Sequence, residues 1–347
     1  MKRVRIEASK SYDVLIGPGL LASCGERIAE KARPCHAAVI ADDTVAALYG
    51  GVVLHSLARA GFRAEMWAFP HGEKHKTMET LSSALEWLGE IGLSRSDLVV
   101  ALGGGVTGDL AGFAAAVYCR GTRFVQLPTT LLAAVDASVG GKTAVDLQAG
   151  KNLAGAFHQP ELVLCDTDVL RALPPALLRD GAAEIIKHGI LADEALFDLL
   201  SSGRWREQME AVVARNVEIK RDYVMADERD NGRRFFLNLG HTFGHAVEKC
   251  SGFSLSHGQG VAIGLVMAAR AAGMDTARIE GALAACGLPA HSPYPASDLA
   301  RAALADKKRR GDQITLVLPE KIGKCFLQTI DIGELPLYFA RGTGETP

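Results

Sequence analysis

The sequence predicts an α/β domain over residues 1–170 followed by a mostly α-helical domain over residues 171–347. Three observations carry this reading. Short apolar runs alternate with helical patterns through the first half, which is the signature of a parallel sheet with helices packed on it. Long helical patterns follow the Pro174-Pro175 pair with little interruption. The chain has 347 residues, more than the ~150 of a typical single domain, which suggests two.

The elements follow in order. The opening stretch MKRVRIEASKSYDVLIG reads as a strand, a turn and a second strand, and not as a signal peptide. Residues 37–40 are a candidate buried strand, and 44–60 have helical spacing that ends at Gly61. Residues 63–69 alternate like a strand, 77–88 are helical, and 98–102 form a continuous apolar run closed by three glycines. Residues 162–165 supply the last strand of the first domain. In the second domain, helical patterns cover 175–191, 194–200, 205–226, 236–249 and 258–272. A strand pair at 313–318 and 324–327 comes late, and the tail 341–347 reads as disordered.

Composition narrows the function. With 38 Lys+Arg against 40 Asp+Glu, the net charge of -2 provides no positive field to draw nucleic acid. Apolar residues at 48% and charged residues at 22% exclude a disordered chain. No apolar run reaches the ~18 residues needed to span a bilayer. Seven scattered cysteines without a CxxC argue against a disulfide framework or a cysteine zinc site, and for a reducing cytoplasm.

Three constellations could carry chemistry. Gly103-Gly104-Gly105-Val106-Thr107-Gly108-Asp109 joins a strand to a helical pattern, where glycines let backbone amides approach a phosphate. The letters fit GxGxxG, yet the loop follows a late strand and Pro128, not an acid, stands about 20 residues on. Gly141-Lys142-Thr143 resembles the end of a Walker A loop, but Asp136 occupies the place of the first glycine, so the motif fails. Lys142 and the following Lys151-Asn152 still suit phosphate oxygens. The third constellation is Glu184, Lys187 and His188 with Asn238, His241, His245 and His257. A carboxylate with imidazoles is a natural set for a zinc ion with one open position. Spacing alone pairs His241 with His245, which are i and i+4 on one helix face. Glu184 and Lys187 are one turn apart, so the bland alternative for them is an exposed ion pair of little worth. The other notable cations are Arg120, Lys220, Arg233, Arg234 and the run 307–310.

At these residues the sequence resembles the 3-dehydroquinate synthase family, over about 14–326. The resemblance rests on GGGVTGDLAGFAAA (103–116), RGTRFVQLPTTLLAAVDASVGGKTAVD (120–146), GKNLAGAFHQP (150–160), GAAEIIKHG (181–189), RRFFLNLGHTFGHAVE (233–248) and HGQGVAIG (257–264). It implies an N-terminal NAD-binding α/β domain, a C-terminal helical metal-binding domain, an active site between them, and a homodimer. The implied reaction converts 3-deoxy-D-arabino-heptulosonate 7-phosphate to 3-dehydroquinate and phosphate, in the shikimate pathway. It runs by transient oxidation, β-elimination, re-reduction and aldol closure.

Residue by residue, the resemblance assigns NAD contacts to Asp42, Glu73, Lys76, Gly104, Gly105, Val106, Thr107, Gly108, Asp109, Thr129, Thr130, Lys142 and Lys151. The ligands of one divalent metal, Zn²⁺ or Co²⁺, become Glu184, His241 and His257, which moves His245 from ligand to substrate side. Asp136, Lys142, Asn152, Lys187, Lys220, Arg234, Asn238, His245 and Lys307 or Lys308 would meet the sugar phosphate. Arg120 would reach the phosphate from a partner subunit. The chain departs from the family pattern in two motifs, and its segment after Ala272 is short. HGEAV becomes His257-Gly258-Gln259-Gly260-Val261, and GGKTGVN becomes Gly140-Gly141-Lys142-Thr143-Ala144-Val145-Asp146. The alternatives are another sugar-phosphate cyclase and a metal-dependent NAD polyol dehydrogenase.

Overall fold

The computed structural model describes residues 1–304 and 312–345. Its strands, in chain order, are β1 (Lys2–Glu7), β2 (Ser11–Gly17), β3 (His36–Asp42), β4 (Arg63–Phe69), β5 (Leu98–Gly103), β6 (Arg123–Pro128), β7 (Lys142–Leu147), β8 (Gly150–Phe157), β9 (Leu162–Asp166), β10 (Gln313–Lys321) and β11 (Lys324–Asp331). Seven of them form a sheet ordered β1-β2-β9-β6-β5-β3-β4. β1 and β2 are antiparallel, and every other neighbouring pair is parallel. The central strands are apolar on both faces, as a parallel sheet covered on both sides requires. Leu98, Val100 and Leu102 of β5 join one core with Val39, Leu57 and Ile28. Val99 and Ala101 join the other with Ile40, Phe124, Leu110 and Ala114.

The helices are α1 (Cys24–Ala29), α2 (Asp43–Val45), α3 (Gly51–Arg59), α4 (Met78–Glu90), α5 (Gly105–Val117), α6 (Thr167–Arg171), α7 (Pro175–Ala192), α8 (Glu194–Ser201), α9 (Met209–Ala226), α10 (His241–Cys250), α11 (His257–Ala271), α12 (Ala277–Cys286), α13 (Ala296–Leu304) and α14 (Leu335–Thr343). Several differ from the sequence expectation. The pattern at 236–249 is broken: a 3₁₀ turn over Arg233–Asn238 ends before Gly240, whose φ of 78° is left-handed, and α10 begins at His241. The tail is helical to Thr343, where Gly344 ends α14 at φ 81°. Its Phe339 is fully buried, with its ring 4.9 Å from that of Phe243. The β7–β8 hairpin was not anticipated, because its small and exposed residues carry no clear alternation.

The chain divides into two units, Met1–Leu173 with Met209–Arg229, and Pro174–Gln208 with Asp230–Pro347. One cut near residue 170 therefore does not describe the division. α9 packs on β1 and β2, with Val212, Val213 and Val217 buried, and the Met1 amino group pairs with Glu210 at 3.0 Å. Periodicity shows that 209–226 is a helix, but not which core its apolar face meets. The second unit holds α7, α8, α10 to α14 and the antiparallel β10–β11 hairpin. All seven cysteines are free. Among the described residues, no helix is long and apolar enough to cross a membrane.

Candidate active site

In the first unit, β4 and β5 lie on opposite sides of β3. The carboxyl ends of β3 and β5, at Asp42 and Gly103, thus flank a topological switch point, where parallel sheets place ligands. Gly103 to Gly108 connects β5 to α5, and Thr107 Oγ1 donates to Asp42 Oδ2 at 3.4 Å. A Cβ at Gly103 would stand 2.4 Å from Thr107 Oγ1, so the turn admits no side chain there. An acid does stand beside the loop, but upstream of it in sequence, as Asp42 at the end of β3. The amide of Thr129 donates to Gly103 O at 2.9 Å, at the end of β6. Thr129 Oγ1 is buried with no partner among the described residues. Glycine-lined amides at the start of a helix, beside a buried donor with nothing to satisfy it, fit a dinucleotide pyrophosphate.

A second cluster adjoins this loop. Lys76 is buried, and its Nζ donates to Asp109 Oδ2 at 2.5 Å and Asn152 Oδ1 at 2.6 Å. Burial alone would lower the Lys76 ammonium, but Asp109 and Glu73 outweigh it and hold the group above the ordinary lysine value. Asn152 is left-handed, at φ 56°, and its amide donates to Asp146 Oδ1 at 2.8 Å. Thr130 Oγ1 accepts from the Ala133 amide at 3.2 Å, opening the π-turn Ala133–Ala137 that carries Asp136. Lys220 of α9 grips that turn, with Nζ 2.6 Å from Asp136 Oδ1 and 2.5 Å from Asp136 O. Only the return of α9 to this unit makes the contact possible. Glu73, Lys142 and Lys151 are exposed, on the 3₁₀ turn Glu73–His75, at the start of β7 and on β8. Arg120 is exposed on a turn where it and Cys119 are both left-handed, at φ 62° and 50°.

In the second unit, Glu184 on α7 is fully buried, and Lys187 one turn later pairs with its Oε2. The bland alternative of an exposed ion pair does not hold, because the pair is buried; i,i+3 spacing carries no information about depth. His241 and His257 are the first residues of α10 and α11. Their Nε2 atoms stand 3.5 Å and 3.2 Å from Glu184 Oε1, and the three donors lie within 4.8 Å of one another. A tetrahedral ion with ligand bonds of 2.0–2.1 Å needs donor separations of about 3.3 Å. The set therefore fits a divalent metal in both chemistry and span. The other ring nitrogens are engaged: His241 Nδ1 lies 3.1 Å from Leu239 O, and His257 Nδ1 lies 3.1 Å from Glu248 Oε1. Burial holds His241 well below the ordinary imidazole value. Burial would lower His257 too, but hydrogen bonds to Glu184 and Glu248 prevail and raise it to about 10. The proton at Nε2 is the one a divalent cation would replace.

His245, one turn after His241, has its ring centroid 5.3 Å from that of His241 in an edge-on arrangement. It lies outside the Glu184 set, so the pairing that spacing suggested is replaced by His241 with His257. Arg234 is buried on the 3₁₀ turn, and Asn238, its last residue, is partly exposed. Lys307 and Lys308 lie outside the described residues. Sequence reasoning missed two acids. Asp180 Oδ1 accepts from Ser256 Oγ at 2.5 Å and from the Gly258 amide at 2.8 Å, so it seats the start of α11. Glu248 is buried against His257; its signal was the spacing of seven residues, two helical turns, from His241. Gln259, one of the departures, serves a capping box with Ser256.

Comparison with known proteins identifies the family. Family models described as 3-dehydroquinate synthase N-terminal and C-terminal match residues 66–180 and 181–309. The chain is 45% identical over 340 residues to a 3-dehydroquinate synthase of Caulobacter vibrioides, covering 92% of each chain. It is likewise 45% identical over 340 residues to that of Pelobacter propionicus, covering 94% of this chain and 95% of the other. Among solved structures, the 2-epi-5-epi-valiolone synthase ValA from Streptomyces hygroscopicus, with NAD⁺ and Zn²⁺ bound, superposes with a TM-score of 0.87 at 28% identity, covering 99% of both chains. With both family models matched over adjoining stretches and relatives of this identity spanning nearly the whole chain, the chain belongs to the 3-dehydroquinate synthase family.

Proposed function

We propose that the chain converts 3-deoxy-D-arabino-heptulosonate 7-phosphate to 3-dehydroquinate and phosphate. The observation that carries this is the convergence of Glu184 Oε1 with the Nε2 atoms of His241 and His257, with the buried Lys187 ammonium on the same carboxylate. When bound, a divalent ion supplies Lewis-acid polarisation of the substrate oxygen, and NAD supplies a reversible hydride acceptor. Glu184, His241 and His257 would hold the ion. The glycine loop with Asp42, Thr129, Thr130, Lys76, Asp109, Glu73, Lys142 and Lys151 would hold the dinucleotide.

The remaining residues have defined work. Lys187 and Arg234 present fixed cations to an anionic substrate, and both are buried, so their charge acts at low dielectric. Asn238 offers a neutral amide to the sugar hydroxyls. His245 can hold or release a proton at a ring nitrogen, worth about 10²–10⁴-fold in rate for a positioned acid or base. Lys142 and Asn152 contribute donors, and the Lys220 clamp holds Asp136 in its π-turn. Arg120, exposed on its strained turn, would meet the phosphate of a partner subunit's substrate, so the working form is a homodimer. Seven free cysteines support a reducing cytoplasm as its location.

The test is phosphate release from purified protein with Zn²⁺ and catalytic NAD. Release from the heptulosonate phosphate, without net NADH, is the expected outcome. Release only from sedoheptulose 7-phosphate would place the chain with the valiolone-forming cyclases, and NADH accumulating on a polyol would make it a dehydrogenase. Exhaustive chelation should abolish release and Zn²⁺ or Co²⁺ restore it.

A further inference from the structure

Glu248 lies in the last turn of α10, facing α11, and the residue is buried to all but 3% of its surface. Its Oε1 lies 3.1 Å from His257 Nδ1, while the Nε2 of the same ring lies 3.2 Å from Glu184 Oε1. The two carboxylates thus stand on opposite edges of one imidazole. A ring whose Nδ1 proton is held by an acceptor must keep its Nε2 lone pair for a cation, and the same bond fixes the rotation of the ring. His241 meets the same requirement through Leu239 O at 3.1 Å, a backbone acceptor supplied by the break at Gly240. His257 is the first residue of α11, so no carbonyl of its own helix lies behind it, and a side chain from α10 takes that place.

Room for that side chain comes from Gly260. A Cβ built there would stand 2.7 Å from Glu248 Cγ, 2.9 Å from Glu248 Oε1 and 3.1 Å from Gly244 O. The helices pack too closely to leave slack for it. A Cβ at Gly244 would already lie 2.7 Å from Gly260 O, and one at Gly264 2.0 Å from Gly240 O, so the two backbones are in direct contact along this seam. What would have to yield is the Glu248 side chain. The two departures at 259 and 260 thus fall on working points, Gln259 on the α11 cap and Gly260 on the space beside His257.

We propose that Glu248 is the positioning residue of His257, accepting a hydrogen bond from its Nδ1–H so that Nε2 faces Glu184, and that Gly260 exists to admit it. This rests on the reading that Glu184, His241 and His257 hold the metal. The test measures Zn²⁺ affinity of the full chain by chelator competition, with the visible absorption of the Co²⁺ form as a second readout. Glu248→Ala should bind Zn²⁺ about 10–100-fold more weakly and alter the Co²⁺ spectrum, while Glu248→Gln, which keeps a carbonyl acceptor, should lose markedly less. Gly260→Ala should lose about as much as Glu248→Ala, and the double variant should lose no more than either, because the two act through one contact. Wild-type affinity in Glu248→Ala, or losses that add in the double variant, would overturn the proposal. Complete loss in Glu248→Gln, equal to that of Glu184→Gln, would also overturn it by making Glu248 a ligand. Should Gly260→Ala fail to fold, the two Glu248 variants decide alone. Failure of the underlying reading looks different: the wild-type chain would then bind no Zn²⁺ at one ion per subunit.

Discussion

Lys187 and Glu184 are 1% and 0% exposed, and they change what a substitution there should do. A lysine on a surface could be removed at little cost to stability, but removing one partner of a buried ion pair costs about 3–5 kcal/mol. Lys187→Met should therefore abolish phosphate release and also lower the urea midpoint of the metal-free protein. Added Zn²⁺ should recover part of the lost stability but none of the turnover; a variant with normal release would remove Lys187 from the reaction. Arg234→Ala should likewise end turnover, since its guanidinium is buried and is replaced by nothing of like charge. At this scale the sequence named the residues and left their setting open. Residue types with motif spacing identify Glu184, Lys187 and His241, but depth depends on what packs over them, and that comes from segments up to 73 residues away, as between Glu184 and His257.

The active element of the second unit is the α10–α11 pair, and its seam is made of glycine. Gly264→Ala places a Cβ 2.0 Å from Gly240 O, a backbone atom with no freedom to move. It should cost about 1–3 kcal/mol as an overpacked core contact and weaken Zn²⁺ binding, because His241 and His257 sit on the two helices it forces apart. In the first unit, Gly103→Ala meets Thr107 Oγ1 at 2.4 Å and should weaken NAD binding, read by fluorescence titration, with little change in Zn²⁺ affinity. Unchanged NAD affinity would remove the β5–α5 turn from the dinucleotide site. The glycines were legible as a loop after an apolar strand. The seam was not, because Gly240, Gly244, Gly260 and Gly264 show their common purpose only when two helices meet.

At the scale of the molecule, α9 completes a sheet from which it is distant in sequence. A fragment ending at Leu173 leaves the β1–β2 surface uncovered and should show no cooperative urea transition, whereas the full chain should. On the same sheet, Asp13 is 1% exposed and bonded to Arg3, Arg5 and Lys31, with distances of 2.8, 3.3 and 2.7 Å. Burial would raise its carboxyl, but Lys31, Arg3 and Arg5 prevail and hold it below the ordinary value. A carboxyl lowered in the folded state contributes stability at pH above its unfolded value of about 3.9, and that contribution is lost as pH falls through the folded value. Asp13→Asn should thus lower the urea midpoint at pH 7, and the gap from wild type should close as the pH falls below 4. A gap that stays constant would show that the ion pairs contribute nothing.

By itself the sequence determined the class of fold, the strand-to-loop glycines, the family and the residues of chemical interest, because these are written in local periodicity and contiguous motifs. Only the tertiary structure decided that α9 belongs to the sheet, that Glu184 and Lys187 are buried together, and that Glu248 stands behind His257. Those facts depend on which surfaces meet, and a helix with one apolar stripe specifies that it will be buried without specifying against what.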